Sequence, residues 1–160
     1  NRYLSNTGNP NGLSSANPFL VAAVIDRNTE SSSSGIAMQF GNAGLQLSFS
    51  WGAAIATNFA ADFYWGTSTP VKFASGTAPT GKHVYWAFWD GTTCHAGYDQ
   101  IENTGAATAK SGSGSATQYV NIGGAKNMKF GSVQVVNRAG MTLSDALAMV
   151  AEMQTYHSIP

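Results

Sequence analysis

The sequence predicts an all-β protein, a two-sheet antiparallel β-sandwich with one C-terminal α-helix. Three observations predict it. Apolar residues alternate with polar ones at strand period through most of the chain, short apolar runs are separated by Gly, Ser, Asn and Thr clusters, and the final segment switches to helical spacing.

The run Phe19–Ile25 (FLVAAVI) is apolar on both faces, the pattern of a central strand. Ile36, Met38 and Phe40 then alternate with Ala37 and Gln39, and Leu45, Leu47, Phe49 and Trp51 alternate with Gln46, Ser48 and Ser50, so each strand has one buried face. Gly41-Asn42-Ala43-Gly44 between them tolerates positive φ and predicts an antiparallel hairpin. A second hairpin runs from Val84–Trp89 through the strong turn signal Asp90-Gly91 to Thr92–Tyr98. Further strands are expected at Asp62–Trp65, Val71–Phe73, Gln118–Ile122 and Phe130–Asn137; this spacing of short strands indicates a sandwich. Asn1–Asn17 is turn-rich and expected to wrap the outside, and Ala106–Thr117, with its Ser-Gly repeats, is expected to be a mobile loop. Over 142–156 the spacing of Leu143, Leu147, Val150 and Met153 or Gln154 predicts a helix capped by Thr142 or Ser144, with Asp145 near its positive end. Met149 and Met153 are expected as core filler.

With 160 residues the chain is expected to form one domain, 1–160. Eight Lys+Arg balance eight Asp+Glu, which removes the attraction that nucleic acid or an anionic membrane would need. No apolar stretch is long enough for a transmembrane helix. Charged residues make up only 10%, so the surface is polar but uncharged, which suits an extracellular setting or one partly covered in an assembly. The one cysteine, Cys94, excludes an internal disulfide and a Cys-rich zinc site, and reads as a small buried residue. The start at Asn1, without Met or a leader, reads as a fragment, a processed product or one domain of a longer polypeptide.

The second half of the chain carries a more specific pattern. Asp90-Gly91, then Val120-Asn121-Ile122-Gly123-Gly124, then Phe130-Gly131-Ser132-Val133-Gln134-Val135-Val136-Asn137-Arg138-Ala139, then Leu143-Ser144-Asp145-Ala146 opening a helix, resembles the concanavalin A-like superfamily in its laminin-G-like, jelly-roll form. The resemblance covers about residues 83–156. It implies a jelly-roll sandwich that binds glycans or proteins, in some members through calcium, with glycanases in some branches and relatives in bacteriophage virion appendages and capsid surfaces. Members often carry Glu three residues after the capping Ser; Leu147 stands there, so with Ser144 as cap the capping box is incomplete.

Glycan hydrolysis needs two carboxyl groups flanking the scissile bond. Asp26, Glu30, Asp62, Asp99 and Glu102 are the available acids, and the clustered Glu-x-Asp-x-x-Glu of the superfamily's glucanases is absent. Asp99 and Glu102, three apart, would project to opposite faces of one strand. Cys94 and His95 are adjacent and also diverge, and no Gly-x-Ser-x-Gly elbow occurs. The expectation is therefore a protein that is not an enzyme, with no required cofactor. One metal candidate remains: Asp26, Asn28 and Glu30 alternate after the central strand and offer oxygens to calcium, although the Gly and Glu that complete an EF-hand loop are missing.

The aromatic residues carry the binding expectation. Sugar C–H faces lie on Trp and Tyr rings while Asn, Asp and Gln bond the hydroxyls. Asn58, Asp62, Tyr64 and Trp65 supply that mixture, with Tyr64 and Trp65 on opposite faces of an extended segment. Trp86 and Phe88 share one face of their strand and Tyr85 and Trp89 the other; one set is expected in the core, the other lining a cleft or interface. The candidate ligand-binding residues are thus Asn58, Asp62, Tyr64, Trp65 and Trp89. The resulting expectation is a noncatalytic recognition module, glycan-binding, in a bacteriophage virion or secreted bacterial surface protein. The alternative is a structural virion domain, a capsid decoration or tail component, that contacts neighbouring subunits or copies of itself and binds no sugar.

Overall fold

A computed structural model describes residues 16–27, 35–42, 45–52, 55–65, 71–77, 79–102, 120–122 and 128–160, with side chains described over 16–26, 79–102 and 129–160. Among these residues the chain forms ten strands and one helix: β1 Phe19–Arg27, β2 Gly35–Asn42, β3 Leu45–Gly52, β4 Ile55–Trp65, β5 Val71–Thr77, β6 Gly81–Trp89, β7 Cys94–Tyr98, β8 Ile101–Glu102, β9 Val120–Ile122, β10 Met128–Asn137 and α1 Leu143–Tyr156. The strands make two five-stranded sheets, ordered β10-β1-β6-β7-β8 and β5-β4-β3-β2-β9, and every strand pair is antiparallel. The expected two-sheet sandwich with a C-terminal helix is the observed fold. No helix among the described residues is long and apolar enough to cross a membrane.

β1 lies between β10 and β6, as its two apolar faces require. Leu20, Ala22 and Val24 on one face join Val84, Trp86 and Phe88 of β6 in a core closed by Ala146, Val150 and Met153 of α1. Met149 packs on the edge of this core, so both helix methionines act as filler. On the opposite face Phe19, Val21, Ala23 and Ile25, with Tyr85, Ala87 and Trp89, are equally buried, turned away from the helix toward the second sheet. The first sheet is therefore the middle layer, with the helix on one side. Each fully buried large side chain contributes about 1.5–3 kcal/mol, so removing both faces of β1 and β6 from water is the main source of order here. The expectation that one aromatic set of β6 would be left for a cleft is corrected: α1 covers the Trp86 and Phe88 face, and the sandwich interior covers the Tyr85 and Trp89 face.

The hairpins follow the sequence signals. Asn42 pairs with Leu45 across the first. In the second, Gly91 adopts φ 105, and the Asp90 side chain accepts from the backbone N–H of Thr92 and Thr93 at 2.6 Å each. Thr142 is the helix N-cap. Its hydroxyl accepts from the Asp145 N–H at 3.2 Å while the Asp145 carboxylate accepts from the Thr142 N–H at 2.8 Å. The capping box is thus complete, because with Thr142 as cap Asp145 stands at the third helical position and does what Glu at 147 was expected to do; Ser144 is not the cap. Of the N-terminal arm only Ala16 and Asn17 are described, both exposed, and the 106–117 segment lies outside the described residues.

Candidate functional site

The site is built where the end of α1 meets the edge strand β10. Ala23 pairs with Val133 and Ile25 with Phe130, so β10 carries one residue more than β1 across this step, and Gly131 and Ser132 together oppose Val24. Such a bulge re-aims side chains. A Cβ on Gly131 would stand 3.0 Å from the Val24 side chain and 3.4 Å from the His157 ring, so glycine is what lets the strand lie against the helix end. The bulge brings the Ser132 hydroxyl to His157 Nε2 at 2.5 Å, and the Lys82 ammonium donates to the His157 carbonyl at 2.9 Å.

The helix terminus is itself closed by backbone bonds. Ser158 adopts φ 51 and donates its N–H to the Thr155 carbonyl at 3.2 Å, and the Ile159 N–H reaches the Gln154 carbonyl at 2.9 Å. This is a Schellman closure, with Ile159 packing into the core as its apolar contact. It fixes Tyr156 and His157 just before the chain turns. The two rings meet edge to face at 5.1 Å and 77°, while Tyr156 remains 84% exposed. Between helix and strand lies a cleft of about 360 Å³, lined by Ser132, Gln134, Glu152, Met153, Tyr156 and His157. Its volume is at the small end of the range of ligand sites. The chemistry is one exposed aromatic ring, a buried thioether beneath, and hydroxyl, amide, imidazole and carboxylate groups at the sides.

The residues proposed from sequence lie elsewhere. Asn58, Asp62, Tyr64 and Trp65 sit on β4 of the second sheet, opposite Thr77, Ser48, Gln46 and Leu45 respectively, and their side chains lie outside the described residues. Trp89 is 2% exposed, so its indole is packed within the protein with no face open to a ligand. Asp26, one residue before the end of β1, lies opposite Lys82 and Lys129 on the flanking strands; Asn28 and Glu30 lie outside the described residues. No His, Cys, Asp or Glu cluster able to hold a metal occurs among the described residues. The cleft residues were missed because Ser132 and His157 are 25 positions apart and only the bulge and the helix closure unite them. Tyr156 gave one signal, a large aromatic off the apolar stripe of the helix.

Two further polar clusters fix the β6–β7–β8 end. Asp99, in the left-handed region at φ 49, accepts from the Val84 N–H at 2.9 Å and from His83 Nδ1 at 2.6 Å, while its carbonyl accepts from Trp86 Nε1 at 2.9 Å. His95 stands between Glu102 at 2.7 Å and Asp90 at 3.4 Å. Desolvation pushes the Asp90 carboxyl up, but the backbone N–H groups of Thr93 and Thr92, the Thr92 hydroxyl and His95 together outweigh it and hold the group below its ordinary value. Cys94 is buried opposite Trp89 whereas His95 lies opposite Phe88, so the two diverge as expected.

No family model and no curated protein matches the chain. Among solved structures it is similar to Trypanosoma rangeli sialidase at a TM-score of 0.61 and 10% identity, covering 87% of this chain and 23% of that one. It also matches the heptameric SAP-like pentraxin of Limulus polyphemus at a TM-score of 0.56 and 12% identity, covering 82% and 69% of the two chains. The Caenorhabditis elegans galectin LEC-6 follows at a TM-score of 0.51 and 10% identity, covering 84% and 95%. The chain therefore spans about a quarter of the length of the sialidases it matches. These matches correct the expectation that the chain is not an enzyme: the fold occurs inside chains that are enzymes, and a scarcity of paired acids in 160 residues does not exclude work on glycans. The virion setting that the resemblance implied finds no support among these matches. What the likenesses establish is the fold, a jelly-roll β-sandwich.

Proposed function

We propose that the chain is a glycan-recognition domain that takes its ligand in the cleft between the end of α1 and β10. The observation that carries this reading is Tyr156, 84% exposed and held edge to face on His157 beside Ser132, Gln134 and Glu152. An aromatic face for sugar C–H groups, flanked by short hydrogen-bonding side chains, is the chemistry that glycan binding needs. The shared fold with a galectin, a pentraxin and sialidases supports it. The laminin-G-like motif residues of 83–156 support that branch of the fold. We place the domain in an extracellular, cell-surface or virion-surface setting, on the strength of its 10% charged residues and one cysteine.

A glycan array tests the reading directly. Signal from the wild-type protein should be lost in Tyr156→Ala while the far-UV circular dichroism spectrum is unchanged. A blank array, or signal that survives the substitution, contradicts it. A second reading, contact between copies of the chain, is favoured by Ile101, which is 53% exposed on the edge strand β8. It requires a concentration-dependent oligomer that Ile101→Ser disperses, measured by light scattering.

A further inference from the structure

We infer that the α1–β10 cleft selects uncharged sugars and discriminates against sugars that carry a carboxylate; this rests on the glycan-binding reading and names the ligand class for the same site. Among the described residues no lysine or arginine lines the cleft, and the one carboxylate there is Glu152. A sugar carboxylate is held in proteins by guanidinium or ammonium groups, whose charge-assisted bonds are the strong ones. Here such a ligand would find no lysine or arginine along the described walls and would bring its charge toward Glu152. Lys82 donates to the His157 backbone carbonyl, and Arg138 lies by Asp145 at the other end of the helix.

The same lining suits vicinal hydroxyls. An ionised carboxylate has two acceptor oxygens, and so accepts hydrogen bonds from two neighbouring sugar hydroxyls. The Gln134 amide both donates and accepts, and the Ser132 hydroxyl, already bonded to His157 Nε2, keeps a lone pair for a ligand donor. The exposed Tyr156 ring offers the apolar contact that a pyranose C–H face needs. Selection against acidic sugars thus follows from what the walls lack as well as from what they hold.

The test pairs neutral oligosaccharides of hexose and N-acetylhexosamine with the same oligosaccharides capped by sialic acid or a uronic acid, measured by titration calorimetry on the wild type, Tyr156→Ala, Glu152→Gln and Glu152→Lys. Neutral ligands should bind the wild type about tenfold or more tighter than their capped forms. Glu152→Lys should narrow or reverse that ratio, and Glu152→Gln should weaken neutral binding less than Glu152→Lys. Capped ligands that bind the wild type as well as or better than neutral ones, with both lost in Tyr156→Ala, would leave the cleft as the site and overturn its selectivity. Binding of either class that is indifferent to Tyr156→Ala would overturn the site itself.

Discussion

Replacing Asp99 tests whether it is a structural staple, because its two carboxylate oxygens and its backbone do separable things. Its carboxylate accepts the N–H of Val84, a fully buried residue of β6; it also holds His83, and its backbone sits at φ 49. Removing the carboxylate leaves the Val84 N–H without its acceptor, at about 1–3 kcal/mol, and breaks the His83 bond, which contributes about 1.5–3 kcal/mol when charged and fully shielded. The two side chains are 18% and 14% exposed, so the second contribution lies at the low end or below it. Asp99→Ala should therefore cost about 2–4 kcal/mol, a large part of the 5–15 kcal/mol typical of a domain. Asp99→Asn keeps an acceptor for Val84 and tolerates the left-handed backbone, and should cost about 1 kcal/mol. Asp99→Gly loses both bonds but relieves the backbone, and should be about 1 kcal/mol more stable than Asp99→Ala. Urea unfolding followed by Trp fluorescence gives the order. If Asp99→Ala unfolds at the wild-type midpoint, or if Gly is worse than Ala, Asp99 is not the staple described.

Other substitutions read the rest of the frame. A Cβ on Gly97 would overlap the Ile101 carbonyl and stand 2.7 Å from the Trp86 ring, so Gly97→Ala should separate β8 from β7 and lower stability by about 3 kcal/mol, seen in the same urea titration. Ser158→Gly should raise the melting temperature slightly, by about 0.5–1 kcal/mol of added stability, because Ser158 occupies a left-handed position that glycine takes without strain. The Asp145 carboxyl is held below its ordinary value by the backbone and hydroxyl of Thr142, against slight desolvation and with help from Arg138. A depressed carboxyl contributes stability above its unfolded value near 3.8 and loses it as pH falls through the folded value. The melting temperature of the wild type should accordingly exceed that of Asp145→Asn at about pH 6 and converge with it near about pH 2.5.

Much of the frame was legible because burial imposes period. β1 declared its central place through FLVAAVI, β3 through Leu45, Leu47 and Phe49, and the β6–β7 turn through Asp90-Gly91. β4 was foreseen only from Asp62, although it begins at Ile55, because its register shifts twice against its neighbours and a shifted strand loses simple alternation. β8 is two residues long and carries no period at all. The site was less legible than the fold. Trp89 looked available because the sandwich interior that packs it is formed by chain distant in sequence, and Ser132 looked like an ordinary strand serine because a bulge is visible only in the pairing with β1. Gly131 likewise shows its role only in the fold, where the Val24 side chain stands 3.0 Å from the position a Cβ would take.

The most direct measurement of where a glycan sits is a protein NMR titration of the full chain with the best neutral oligosaccharide from the array. The expected result is a cluster of amide shifts at Ser132, Gln134, Glu152, Tyr156 and His157, with the Asp62–Trp65 stretch of β4 silent. Shifts centred on β4, or no shifts at saturating sugar, would contradict a binding cleft between α1 and β10.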